Sequence, residues 1–83
     1  MKISLRYFAS LREALGPGEE IELDEAISLG QLRDRLASRG GAHAEVLGRP
    51  RPVRCALNQV LHDESATVND GAEVAFFPPV TGG

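Results

Sequence analysis

Apolar and polar residues alternate at both ends of this chain, and that alternation limits its fold more than any other feature. Ile3, Leu5 and Tyr7 fall on one face and Lys2, Ser4 and Arg6 on the other, the period of a half-buried strand. Near the far end, Glu73-Val74-Ala75-Phe76-Phe77 repeats the pattern with Val74 and Phe76 inward, and Pro78-Pro79 terminates it. A chain of 83 residues forms one domain. A chain of that size buries only about 60–65% of its unfolded surface. The two strands must therefore share one core, which leaves no room for a separate cofactor domain or a large enclosed substrate cavity.

Between these ends the pattern changes period. Ser10 is placed to cap a short helix, Leu11–Leu15, which Gly16-Pro17-Gly18 stops. Ile21 and Leu23 then alternate with Glu20, Glu22 and Asp24, so the first two strands read as a hairpin with a helical insertion. Ser28-Leu29-Gly30-Gln31 fits a capping box and opens the main helix. Its stripe is Leu29, Leu32 and Leu36, with Arg33, Asp34 and Arg35 around the solvent side and Gly40-Gly41 at its end. Residues 42–52 read as irregular. Val53, Cys55 and Leu57 alternate again, Asn58-Gln59 turns the chain into Val60-Leu61, and Asn69-Asp70-Gly71 turns it into the last strand. Strands before and after one major helix predict an α+β fold. Its mixed sheet has about five strands, with the main helix on one face and a short helix after the first strand. This is the β-grasp, or ubiquitin-like, arrangement, with a globular domain over 1–79 and a flexible tail over 80–83.

Composition excludes several function classes. A net charge of −3 argues against non-specific nucleic-acid binding, which needs a basic face. No segment approaches a membrane span and none resembles a signal peptide, so the expected partners include no membrane. The lone Cys55 has no internal disulfide partner, which suits a reducing cytoplasm. It shares a face with Val53 and Leu57 and reads as a buried thiol rather than a nucleophile. His43 and His62 lack ligands at metal-binding spacing and read as exposed loop histidines, so no metal site is expected. Asp63 and Glu64 read as solvated charges, and no nucleophile–base pair can be assembled.

The tail Val80-Thr81-Gly82-Gly83 is the other candidate feature. Residue types leave two readings open: a frayed terminus, or a functional end. Pro78-Pro79 stiffens the exit from the sheet. Four residues beyond reach about 13 Å at full extension, at ~3.3 Å each. The paired glycines let the backbone enter a narrow channel. Strand phase adds a possible docking patch. Phe8 lies with Lys2, Ser4 and Arg6, opposite the core set, and Phe77 lies opposite Val74 and Phe76. The alternative is a local twist or bulge that buries both rings.

The ending Phe76-Phe77-Pro78-Pro79-Val80-Thr81-Gly82-Gly83 resembles the C-terminus of the small subunits of molybdopterin synthase, the MoaD-type sulfur carriers. Tyr7-Phe8-Ala9, Leu11-Arg12-Glu13, Leu57-Asn58-Gln59 and Asn69-Asp70-Gly71 extend the resemblance over essentially the whole chain, with Gly48–Pro52 as the one departing segment. The resemblance implies a β-grasp protein that binds no cofactor and is not an enzyme on its own. An E1-like (MoeB-type) adenylating enzyme would use ATP to activate the carboxylate of Gly83. A persulfide donor would then supply the sulfur of a thiocarboxylate. The large synthase subunit (MoaE-type) would use that sulfur to convert cyclic pyranopterin monophosphate to the molybdopterin dithiolene. Gly83 would carry the sulfur, with Val80, Thr81 and Gly82 as its slim mount. Phe8, Leu61 and Phe77 would face the partner in a heterotetramer with one carrier at each end of a large-subunit dimer. Sulfur carriage for thiamine or cysteine synthesis, protein modification through lysine, and a plain interaction module are the alternatives.

Overall fold

In strand β1 (Lys2–Tyr7) the residues Ile3, Leu5 and Tyr7 are all buried, as their alternation requires. The structure, a computed structural model, describes residues 1–79. After β1 come α1 (Ala9–Leu15), β2 (Gly18–Glu22), β3 (Ile27–Ser28), α2 (Leu29–Ala37) and α3 (Gly41–Leu47). They are followed by β4 (Arg54–Leu57), β5 (Val60–His62), β6 (Thr67–Val68) and β7 (Glu73–Phe77). Five strands form one sheet in the order β2-β1-β7-β4-β5, and β3 pairs with β6 in a separate small sheet. The β1–β7 pair is parallel and the other pairs of the large sheet are antiparallel. The first strand and the last thus lie side by side, with α2 above them. Leu29, Leu32 and Leu36 join Ile3, Leu5, Val74 and Phe76 in one core cluster. Each such side chain contributes roughly 1.5–3 kcal/mol by leaving water.

The turns explain the register. Asn58 and Gln59 both have positive φ (50° and 68°), the two-residue hairpin geometry that lets β5 fold back on β4. The Asn58 side chain also accepts a hydrogen bond from the Glu73 N–H at 3.0 Å, tying that hairpin to the start of β7. At the other tip, Gly18 passes so close to β1 that a Cβ there would lie 2.1 Å from the Leu5 carbonyl oxygen. The chain can re-enter the sheet at that point only without a side chain.

Several expectations need correction. Ser28 and Gln31 do form the capping box of α2, but Ser10 caps nothing: α1 begins at Ala9, with Phe8 as its N-cap and no side-chain bond. Helix α2 ends at Ala37, before Gly40-Gly41, whose positive φ values instead turn the chain into α3. That third helix occupies a stretch read as irregular and buries Leu47. His43 lies on α3 and His62 on β5, not in loops.

Arg33 is the largest departure. Placed on the solvent side by residue type, it is buried, at 4% exposure. Its guanidinium donates to the carbonyls of Leu47 (2.8 Å), Gly48 (2.9 Å) and Arg51 (2.6 Å) and to the Glu64 carboxylate (2.9 Å). Arg49 grips Asp34 through two nitrogens and also bonds Glu64. Gly48–Pro52 is therefore pinned to α2, and Glu64 is an ion-pair partner rather than a solvated charge. Burial pushes the Glu64 carboxyl up, but the hydrogen bonds and charges of Arg49 and Arg33 outweigh it and hold it below its usual range. A carboxyl depressed on folding stabilises the fold above its ordinary value and loses that effect as pH falls through the depressed one. The melting temperature should therefore decline on acidification below about pH 4.5, the ordinary value for glutamate. In Glu64→Gln the decline should be shallower, as thermal melts over a pH series would show. An unchanged acid limb would remove Glu64 from the account.

Candidate functional site

The sheet face turned away from α2 presents a row set by strand register. Leu61, Ala56, Ala75, Arg6 and Gly18 stand opposite one another across all five strands. Beyond that row Phe77 on β7 stands opposite Arg54 on β4, while Phe8 follows Arg6 by two residues. Phe8 is 39% exposed, Phe77 is half-buried, and neither ring enters the core, so no twist or bulge has turned them inward. Both line one shallow concavity of about 330 Å³, together with Arg6, Ala56, Gln59, Glu73 and Ala75. The hollow exists because β4 and β7 offer alanine there: two methyl groups form a floor between larger side chains.

Leu61 is on the same face but outside that lining. It sits on the edge strand β5, 55% exposed, beside Val60 at 57%. Charge frames the rings: the Arg6 guanidinium lies 5.7 Å from the Phe8 ring centroid and 3.5 Å from the Glu73 carboxylate. Strand phase had singled out the rings but not the alanine floor, Gln59 or Val60. Small residues at same-face positions of neighbouring strands were the available signal.

Val80, Thr81, Gly82 and Gly83 lie outside the described residues, and their assigned roles rest on sequence. What the structure does place is their origin. Strand β7 lies between β1 and β4, and Pro78-Pro79 follows directly from the ring-bearing face. Those prolines line a second hollow, of about 370 Å³, with Ser10, Leu11, Val46, Arg51 and Pro52.

Other reactive groups are held quiet. Burial pushes the Cys55 thiol up, and its sulfur lies 3.5 Å from the His62 carbonyl oxygen. Tyr7 is pushed up to about 12, by burial first and by the Glu19 carboxylate second. His43 lies 3.9 Å from Glu19, yet among the described residues no cluster of three or more metal-ligating side chains occurs. Among those residues, too, no helix is long and apolar enough to cross a membrane. The face offers two aromatic rings over an alanine floor, with Glu73 as its carboxylate, held 3.5 Å from Arg6.

The sequence profile of the ThiS family matches residues 5–83. The chain belongs to the ThiS family. Two relatives within reach of this ThiS-family chain are molybdopterin synthase sulfur carrier subunits. The protein from Mycobacterium tuberculosis is 34% identical over 85 residues, covering 100% of this chain and 99% of the relative. The one from Haemophilus influenzae is 35% identical over 82 residues, covering 98% and 99%. Among solved structures, the complex of subunits 1 and 2 of molybdopterin-converting factor from Helicobacter pylori holds a similar chain. It superposes with a TM-score of 0.70 at 28% identity and 100% coverage of both chains. The ThiS-family chain thus has the β-grasp fold that its periodicity predicts.

Proposed function

We propose that this protein is the sulfur carrier subunit of a molybdopterin synthase, with the carboxyl group of Gly83 as its reactive site. The observation that carries this reading is similarity at 34–35% identity along the full chain to relatives that bear that name. The geometry suits it: the face that bears Phe8, Leu61 and Phe77 lies at the root of the segment that runs on to Gly82-Gly83.

A carboxylate is a poor electrophile, because resonance stabilises its carbonyl and its leaving group would be oxide. On this reading an E1-like enzyme joins the Gly83 carboxylate to the α-phosphate of ATP and releases pyrophosphate. The outer sulfur of a persulfide then attacks the acyl carbon and displaces AMP. A second thiol cleaves the resulting acyl disulfide, forming a disulfide with the donor sulfur and releasing the thiocarboxylate. The tail enters the large subunit and gives its sulfur to cyclic pyranopterin monophosphate, so that two carriers serve each dithiolene. ATP is bound by the partner, acid and base groups belong to the partners, and the setting is the cytoplasm. The test is reconstitution: thiocarboxylated protein, a molybdopterin synthase large subunit and the pterin precursor should yield dithiolene. Failure of sulfur to leave the carrier would reject the proposal, and lysine-linked adducts in protein from its own cells would favour a modifier.

Phe8, Leu61 and Phe77 are the proposed contact residues. Leu61→Ala and Phe77→Ala should each weaken binding to the large subunit by about 2 kcal/mol, roughly 30-fold. Leu61 is largely exposed, so its variant should keep its stability within about 0.5 kcal/mol. Titration calorimetry and thermal melts would separate these effects. A large stability loss with unchanged affinity would make the side chains structural.

A further inference from the structure

Backbone strain in this chain gathers at one face. Among the described residues, φ is positive at three positions other than glycine: Ala9 (52°), Asn58 (50°) and Gln59 (68°). A side chain is disfavoured there because its Cβ crowds the following carbonyl oxygen. Only glycine, with asparagine or aspartate on occasion, adopts the conformation routinely. Asn58 is such a residue, and its side chain also accepts the Glu73 N–H. Neither reason covers Ala9 or Gln59. Both border the same hollow: Ala9 directly follows Phe8, and Gln59 lines the concavity with Phe8, Phe77 and the alanine floor.

At Gln59 the conflict is plainest. A two-residue hairpin with φ positive at both central positions is ordinarily filled by Asn-Gly, and here the pair is Asn58-Gln59. The glutamine side chain does not hold the turn in place. Two hydrogen bonds tie the turn to β7, and Asn58 makes both. Its N–H donates to the Glu73 carbonyl at 2.8 Å, and its side chain accepts the Glu73 N–H at 3.0 Å. Gln59 itself is exposed. The charged groups of the same lining, Arg6 and Glu73, face each other at 3.5 Å. Gln59 adds to the rim a neutral group that both donates and accepts.

We propose that Gln59 is a specificity-determining contact: a side chain kept at a turn position that favours glycine, so that its amide meets a backbone peptide group of the protein docking over Phe8 and Phe77. The rings and the alanine floor supply burial, which has no direction. A primary amide can donate to a carbonyl and accept from an N–H, and so fixes how the docked segment lies. At the opposite border, the left-handed Ala9 starts α1 directly after Phe8, whose N–H stays bonded to the Phe76 carbonyl at 3.2 Å. This inference rests on the sulfur-carrier reading, in which the docking protein is the large synthase subunit.

The expected signature is two changes of opposite sign in one variant. Gln59→Gly should raise the melting temperature by about 5 °C, because the turn loses its strain. The same variant should bind a molybdopterin synthase large subunit about fivefold more weakly, the loss typical of one hydrogen bond. Gln59→Ala keeps a Cβ in the left-handed region, so it should lose the same affinity with no gain in melting temperature. A side chain with a merely structural role would lower stability when removed. Thermal melts and titration calorimetry on the full chain would measure both quantities. Binding by Gln59→Ala within twofold of the unsubstituted protein would overturn the inference, as would a melting temperature that Gln59→Gly leaves unchanged or lowers. Either result would leave the sulfur-carrier reading standing. An unsubstituted chain that bound no large subunit would remove that reading, and this contact with it.

Discussion

Replacing Arg33 by alanine should lower the stability of the fold by about 3–5 kcal/mol, the cost typical of removing one partner from a buried ion pair. At roughly 4–8 °C per kcal/mol for a domain of this size, the midpoint should fall by on the order of 20 °C. Three carbonyls, of Leu47, Gly48 and Arg51, lose their donor at once, and Glu64 loses one of its two cations. Burial makes each loss expensive, because water cannot replace the missing donor without opening the core. Arg33→Lys should recover only a minor part, since an ammonium cannot span acceptors in a planar fork. Thermal denaturation followed by circular dichroism would measure the change. A fall of only a few degrees would mean that the Gly48–Pro52 segment holds its place without Arg33.

Removing Gly82 and Gly83 should abolish dithiolene formation while leaving the melting temperature unchanged. The described core extends from Ile3 to Phe76, so truncation beyond Pro79 takes nothing from it. On the sulfur-carrier reading, activity should drop to the blank of an assay without carrier, because the proposed reacting group would be removed rather than misplaced. Mass spectrometry after incubation with the adenylating enzyme, ATP and a sulfur source should find no thiocarboxylate. Any sustained sulfur transfer by the shortened chain would place the chemistry elsewhere.

The contrast between these two variants mirrors what was legible in the sequence. Strands β1, β4 and β7 announced themselves, since each alternates cleanly and has one buried face. Helix α2 was equally open, because the Ser28–Gln31 box and the leucine stripe agree. Helix α3 was not: seven residues are too few to establish a period, and Gly40-Gly41 reads as readily as a stop. Strands β3 and β6, two residues each, are created by their pairing and have no pattern of their own.

Arg33 is the more instructive miss. Leu29, Leu32, Arg33 and Leu36 follow the spacing of a single helix face, so the period had marked position 33 as buried. Its charge argued the other way, and only tertiary structure shows the carbonyls and carboxylate that make burial tolerable. Glu64 was misread for the same reason, with both of its partners more than ten residues away in sequence. On the outer face, phase located Phe8 and Phe77 one strand at a time. That they share a concavity depends on β7 lying beside β1, which no local pattern discloses.

The placement of β7 between β1 and β4 has a mechanical consequence. A strand at the border of a sheet peels away one hydrogen bond at a time when its end is tugged. A strand held on both flanks and loaded along its length resists in shear, with both ladders sharing the strain. On the proposed reading, a partner that grasped the last residues would therefore pull against the whole sheet. With β7 held on both flanks, such a pull would meet two ladders at once.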